Sequence, residues 1–150
     1  MKRFAWRLQR VLDIKTKEEQ IKRAELLGVT EKLAQTRAGL AMQKRLLMDI
    51  IEGLTEENPV KRLAGQELFL KSSVTNDELI EKLESKVRQL ETQQKEKIAE
   101  VLKVRRFKEG LEKLRVEAKA QFIKEQEKLE QKEADEMTSI GFARKIISAR

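Results

Sequence analysis

Positions 12, 19, 26, 33, 40, 47 and 54 of this 150-residue chain lie seven apart, and they read Leu12, Glu19, Leu26, Leu33, Leu40, Leu47 and Leu54. A sustained seven-residue apolar repeat keeps one stripe of a helix facing a partner helix through a left-handed supercoil. The pattern therefore calls for a long helix that has another helix to lie against. The companion seam, three residues further on, reads Lys15, Lys22, Val29, Thr36, Gln43 and Ile50. Its polar members make it weak and staggered. Ile14, Ile21 and Ala24 offer an alternative apolar stripe around the exception at Glu19, which leaves the register open.

At Gly53 the pattern stops. Thr55-Glu56-Glu57-Asn58-Pro59 carries the only proline of the chain, and the residue before a proline disfavours helix. A short helix is expected over about 60–70, through Leu63, Leu68 and Phe69, before a second break at Ser72-Ser73-Val74-Thr75-Asn76. Thr75 or Asn76 would cap the next helix, with Glu78 early in its first turn. The heptad then returns at Leu83, Leu90, Lys97, Val104, Leu111 and Ala118, with Val87, Val101, Leu114, Phe122 and Leu129 close to the same face. Gly110 costs ~1 kcal/mol relative to Ala, and its apolar neighbours should carry the helix through it.

The expected fold is all-α: a single coiled-coil domain built as a long antiparallel two-helix hairpin with a short helical or irregular linker. Its first helix covers about 2–54, the linker about 55–76, the second helix about 77–138, and a frayed or binding-induced tail 139–150. Two helices that each dimerise with another chain are the competing arrangement. Two weak, complementary seams favour closure within one chain, hence a monomer. Because the helices differ in length, part of one should overhang.

Composition agrees with a chain that buries a narrow stripe. Charged residues make up 39% and aromatics 4%, with five Phe, one Trp and no Tyr, too few to fill a thick core. Disorder is the competing reading of so polar a chain, and the regular apolar spacing argues against it. With no Cys and no His, the usual zinc sites, thiol catalysis, disulfides and imidazole acid–base chemistry are excluded. Acidic residues alternate with Lys and Arg, as on a solvated face, so no metal or other cofactor is expected. Neither can a convergent nucleophile, base and orienter be named, so no enzyme is expected. No apolar run approaches the ~20 residues that span a bilayer. The opening Met1-Lys2-Arg3-Phe4-Ala5-Trp6-Arg7-Leu8 has no apolar h-region behind its basic start and is not a secretory signal. The chain is expected to stay in the cytoplasm without inserting into a membrane.

In an antiparallel hairpin both termini share one end. Lys2, Arg3, Arg7 and Arg10 would then gather near Arg144, Lys145 and Arg150, with Phe4, Trp6, Leu8 and Phe142 supplying apolar surface among them. A net charge of +7 at pH 7 makes this clustering hard to treat as balanced pairing. A basic tip with exposed aromatics suits an acidic, partly apolar socket on another protein. Folding-back of the aromatics into the hairpin, nucleic-acid binding and membrane-surface attachment compete with docking. Interleaved acids and the lack of a reader motif argue against nucleic acid.

The two ends of the chain carry a resemblance. Phe4-Ala5-Trp6-Arg7-Leu8-Gln9-Arg10-Val11-Leu12-Asp13-Ile14-Lys15 resembles the opening of the FliJ family of flagellar export proteins, where an aromatic and a Leu-x-x-Val-Leu run begin the first long helix. Leu111-Glu112-Lys113-Leu114-Arg115 and the stretch from Glu127 through Gln131-Lys132-Glu133-Ala134-Asp135-Glu136 to Met137 resemble the family's C-terminal signature. Length, helix–linker–helix layout and basic character are similar throughout, whereas Asn58-Pro59 and the long linker match no fixed pattern. The resemblance implies a component of the flagellar type III export apparatus, peripherally associated with the inner membrane at the flagellar base. It further implies a stalk like the γ subunit of rotary ATPases, one that docks in the pore of the hexameric export ATPase and promotes its activity. A link to the cytoplasmic domain of the export-gate membrane protein, and an association with export chaperones, are implied as well.

Joined to the basic tip, the resemblance makes Phe4, Trp6, Arg7, Arg10, Gln131, Lys132, Asp135 and Glu136 the candidate ATPase-binding residues. For the last four, surface pairing along the helix is an equal alternative. Leu79, Ile80, Leu83 and Val87 are a second candidate set, for the export gate, with ordinary seam packing as the alternative. The same sequence also suits the stalk protein of an injectisome, or a coiled-coil scaffold that leaves every ATPase unchanged.

Overall fold

The computed structural model of the chain describes residues 2–56 and 58–149. Helix α1 spans Gln9–Glu56 and helix α2 spans Pro59–Ser148, and the described residues contain no strand. The fold is the expected all-α pair of long helices packed against each other, but its boundaries differ from those read in the sequence.

The first helix was expected from about residue 2 and starts at Gln9. Its entry is set by backbone bonds from the Gln9 N–H to the Trp6 carbonyl at 3.1 Å and from the Leu12 N–H to the Leu8 carbonyl at 3.0 Å. Residues 2–6 form a non-helical arm. Phe4 packs on Phe122 of α2 with ring centroids 5.5 Å apart, a contact that competes with extending α1 upstream.

The linker over 55–76, with its short helix and second break, is corrected by a helix that begins at Pro59 and runs on unbroken. Proline suits the first helical position because its missing N–H would be unsatisfied there anyway. The Asn58 carbonyl accepts the first helical bond, from the Arg62 N–H at 2.8 Å. The Ser72 and Ser73 hydroxyls donate to the Phe69 and Leu70 carbonyls at 3.1 and 2.8 Å. Those polar groups are satisfied inside the helix and do not end it. Thr75 and Asn76 are therefore mid-helix residues and not caps. The tail is also helical to Ser148, and the Thr138 hydroxyl bonds back to the Ala134 carbonyl at 2.9 Å.

The chain divides into two compact units: Met1–Glu18 with Val104–Arg150, and Glu19–Lys103. In the second unit, contacts step up α1 as they step down α2. Glu25 meets Lys97, Arg37 meets Glu91 and Lys44 meets Glu84, which fixes an antiparallel pairing. Leu33 is 2% exposed, and Leu90 and Val101 are buried with it in the core of this unit. Glu19, the exception in the leucine heptad, is itself buried and accepts an ion-pair bond from Arg23 Nη2 at 2.8 Å. Ile21 and Ala24 are exposed, as is Ile14 in the first unit, so the alternative stripe is not the seam and the heptad passes through Glu19.

In the first unit Leu12, Val104 and Leu111 are buried. Lys15 sits over the Phe107 ring at 4.9 Å, and Arg115 reaches Gln9, which again runs the two helices antiparallel. Gly110 lies within α2, and a Cβ placed there would meet nothing within 4 Å. No described helix is long and apolar enough to cross a membrane.

Candidate partner-binding site

The second unit replaces one hydrophobic layer with charge. Lys22 and Lys97, both at apolar heptad positions, face Glu25 and Glu100 in a closed ring. Lys22 Nζ lies 3.2 Å from Glu100 and 3.6 Å from Glu25, and Lys97 Nζ lies 3.0 Å from Glu25 and 3.4 Å from Glu100. Each Lys-x-x-Glu pair comes from one helix, and the ring closes across the two. Hydrogen bonding to Glu100 raises the Lys22 ammonium above its ordinary value, and bonding to Glu25 does the same for Lys97. Donation from Lys97 and from Lys22 lowers the Glu25 and Glu100 carboxyls respectively. Such a layer contributes less than apolar packing but fixes which residues lie opposite each other.

In the first unit the arm is held by side chains. Arg115 Nε donates to Gln9 Oε1 at 2.8 Å, and its guanidinium lies 5.7 Å from the Phe4 ring centroid. Phe4 in turn stacks on Phe122 at a tilt of 55°. Lys2 continues the arm along α2, where it lines a pocket with residues as far along as Glu130.

This placement sorts the candidate residues. Phe4 and Trp6 are half-buried in the arm, while Arg7 and Arg10 are exposed. Gln131, Lys132, Asp135 and Glu136 are exposed on α2, beginning one residue past the end of that pocket. Surface pairing along the helix does not form for these four: among the described residues none of their side chains has a hydrogen-bond or ion-pair partner. Of the export-gate set, Leu79 is exposed, and Ile80, Leu83 and Val87 are half-buried. The shared basic tip is corrected. Lys2 lines one pocket with Gln126, Glu127 and Glu130, whereas Arg144 is ~21 Å beyond Glu130 along α2. Arg150 falls outside the described residues.

Gln9, Arg115, Phe122 and Glu130 were not singled out as site residues in the sequence. Their roles depend on the stagger of the helices, which no local pattern specifies. The charge ring did leave a trace, the two Lys-x-x-Glu spacings at heptad exceptions.

Among the described residues no three acidic side chains converge as a metal site would require. What the molecule presents is exposed side chains on two antiparallel helices, which defines a coiled-coil protein of the two-helix class. Its sequence places it further: the family model described as Flagellar FliJ protein matches residues 4–146, and the chain belongs to that family. Membership makes it a component of flagellar type III export, that is, of a protein-transport apparatus, and a structural export component in kind. No curated protein and no solved structure matches the chain.

Proposed function

We propose that the protein is a stalk-like coiled coil that binds and activates the hexameric export ATPase and couples it to the export gate. The observation that supports this best is the pairing of two partner-free surfaces in one unit. Arg7 and Arg10 are exposed and have no ion-pair partner among the described residues, and Gln131, Lys132, Asp135 and Glu136 are equally uncommitted. Charged groups left without internal partners serve recognition and encounter rate better than they serve stability. The Phe4 and Trp6 side chains, half-buried in the arm, supply apolar surface beside them. Exposed Leu79, with Ile80, Leu83 and Val87 behind it, is the proposed contact for the export gate. Escort of export chaperones belongs to the same reading.

Sedimentation velocity of the purified export ATPase tests the proposal. Added protein should shift the ATPase toward its hexamer and co-sediment with it, and the charge reversal Arg7→Glu/Arg10→Glu should abolish the shift. A hexamer population that ignores the protein leaves a scaffold without effect on the ATPase.

A further inference from the structure

A pocket of about 250 Å³ opens on the first unit, between the arm and α2. Phe122 and Ile123 form its apolar floor, and the Phe122 ring is backed by Phe4 at 5.5 Å. Glu127 and Glu130, three residues apart and therefore on one helix face, line it together with Gln126, and Lys2 of the arm lines it as well. Both carboxylates are exposed and neither has an ion-pair partner among the described residues.

We infer that this pocket receives one long basic side chain, an arginine, from the export ATPase. The inference rests on the ATPase-binding reading and adds to it the chemistry of one anchor. An arginine stem is apolar and its guanidinium is planar, so the stem covers Phe122 and Ile123 while the head meets the carboxylates in the fork geometry they accept. The aromatic floor favours a flat cation over it. An acidic side chain would face two carboxylates against one ammonium, and a purely apolar one would leave both carboxylates with a desolvated rim. Lys2 then acts as a competitor, since its ammonium and the incoming guanidinium seek the same two acids.

That competition gives the test a sign. Binding of the purified export ATPase of the same export system to the full-length protein is measured by titration calorimetry at low and high salt. Circular dichroism and Trp6 emission check that each variant is folded with its arm in place. Glu127→Gln/Glu130→Gln should weaken binding about tenfold and flatten its salt dependence, while Lys2→Ala should strengthen it. Unchanged affinity in the double variant, or weaker binding by Lys2→Ala, overturns the inference, the latter in favour of an acidic guest. No binding by the wild-type protein overturns the ATPase reading itself, a different result from binding that ignores the pocket.

Discussion

Arg115 Nε donates a hydrogen bond to Gln9 Oε1 at 2.8 Å across the first unit, joining α2 to the first residue of α1. The same guanidinium covers Phe4 at 5.7 Å, so one side chain fastens both the helix start and the arm before it. Replacing Arg115 by Ala should cost about 1–2 kcal/mol, from one charge-assisted bond and one partly exposed cation–π contact. Trp6, the only tryptophan, reports the arm directly. Its emission should shift to the red in Arg115→Ala, and an unshifted spectrum would mean that the arm is held by other contacts.

The ring of Lys22, Glu25, Lys97 and Glu100 makes a prediction about pairing. Lys22→Glu places three carboxylates around one ammonium and should lower Tm. Exchanging all four charges, Lys22→Glu/Glu25→Lys/Lys97→Glu/Glu100→Lys, rebuilds every attraction and should recover more than half of that loss. Thermal melts at low salt decide it, because screening shrinks the difference as salt rises. A quadruple variant no more stable than the single one would contradict the observed register.

The same ring predicts how stability follows pH. Glu25 and Glu100 are held below the ordinary carboxyl value of 4.5, so their contribution is complete above that value and is lost as pH falls through the lowered one. Lys22 and Lys97 are held above 10.5, so theirs is complete below that value and is lost as pH rises through the raised one. Between these limits the ring should give a flat Tm. Other carboxylates titrate too, so the check is a difference: Glu25→Gln/Glu100→Gln should fall less steeply in acid than the wild-type protein does. Parallel acid limbs would leave the ring without a role in the pH response.

Burial separates leucines that look alike in sequence. Leu33→Ala, at a position 2% exposed, should cost about 2–5 kcal/mol. Leu27→Ala, at a position 59% exposed, should stay within about 0.5 kcal/mol. Chemical denaturation of the two variants measures both, and similar losses would place the seam elsewhere.

Much of this fold was legible in the heptads. Leu12, Leu33, Leu90, Val104 and Leu111 occupy positions that the repeat assigns to the interface, and all are buried. The repeat also marked Glu19, although its burial against a charged partner reads locally as a defect. The breaks misled for a physical reason. Pro59 and the serines at 72 and 73 disfavour a helix interior, yet proline is free at a first turn and hydroxyls can bond back to their own helix. The arm and its pocket were hidden because they depend on which turn of α2 meets Phe4. That is fixed by the stagger within the first unit, where Arg115 meets Gln9 and Phe122 meets Phe4, residues more than 100 apart in sequence. Arg7, Arg10, Lys132, Asp135 and Glu136 were marked by the basic tip joined to a family resemblance, whereas their exposure without side-chain ion pairs became visible only in three dimensions.

As proposed, this coiled coil activates a ring ATPase through the surface carrying Arg7 and Arg10. Steady-state ATP hydrolysis by the export ATPase, measured with increasing amounts of the protein, tests it most directly. The rate should rise saturably, and Arg7→Glu/Arg10→Glu should remove that rise while helicity is kept. A rate that stays flat, with an active ATPase and a folded helical protein, would contradict it.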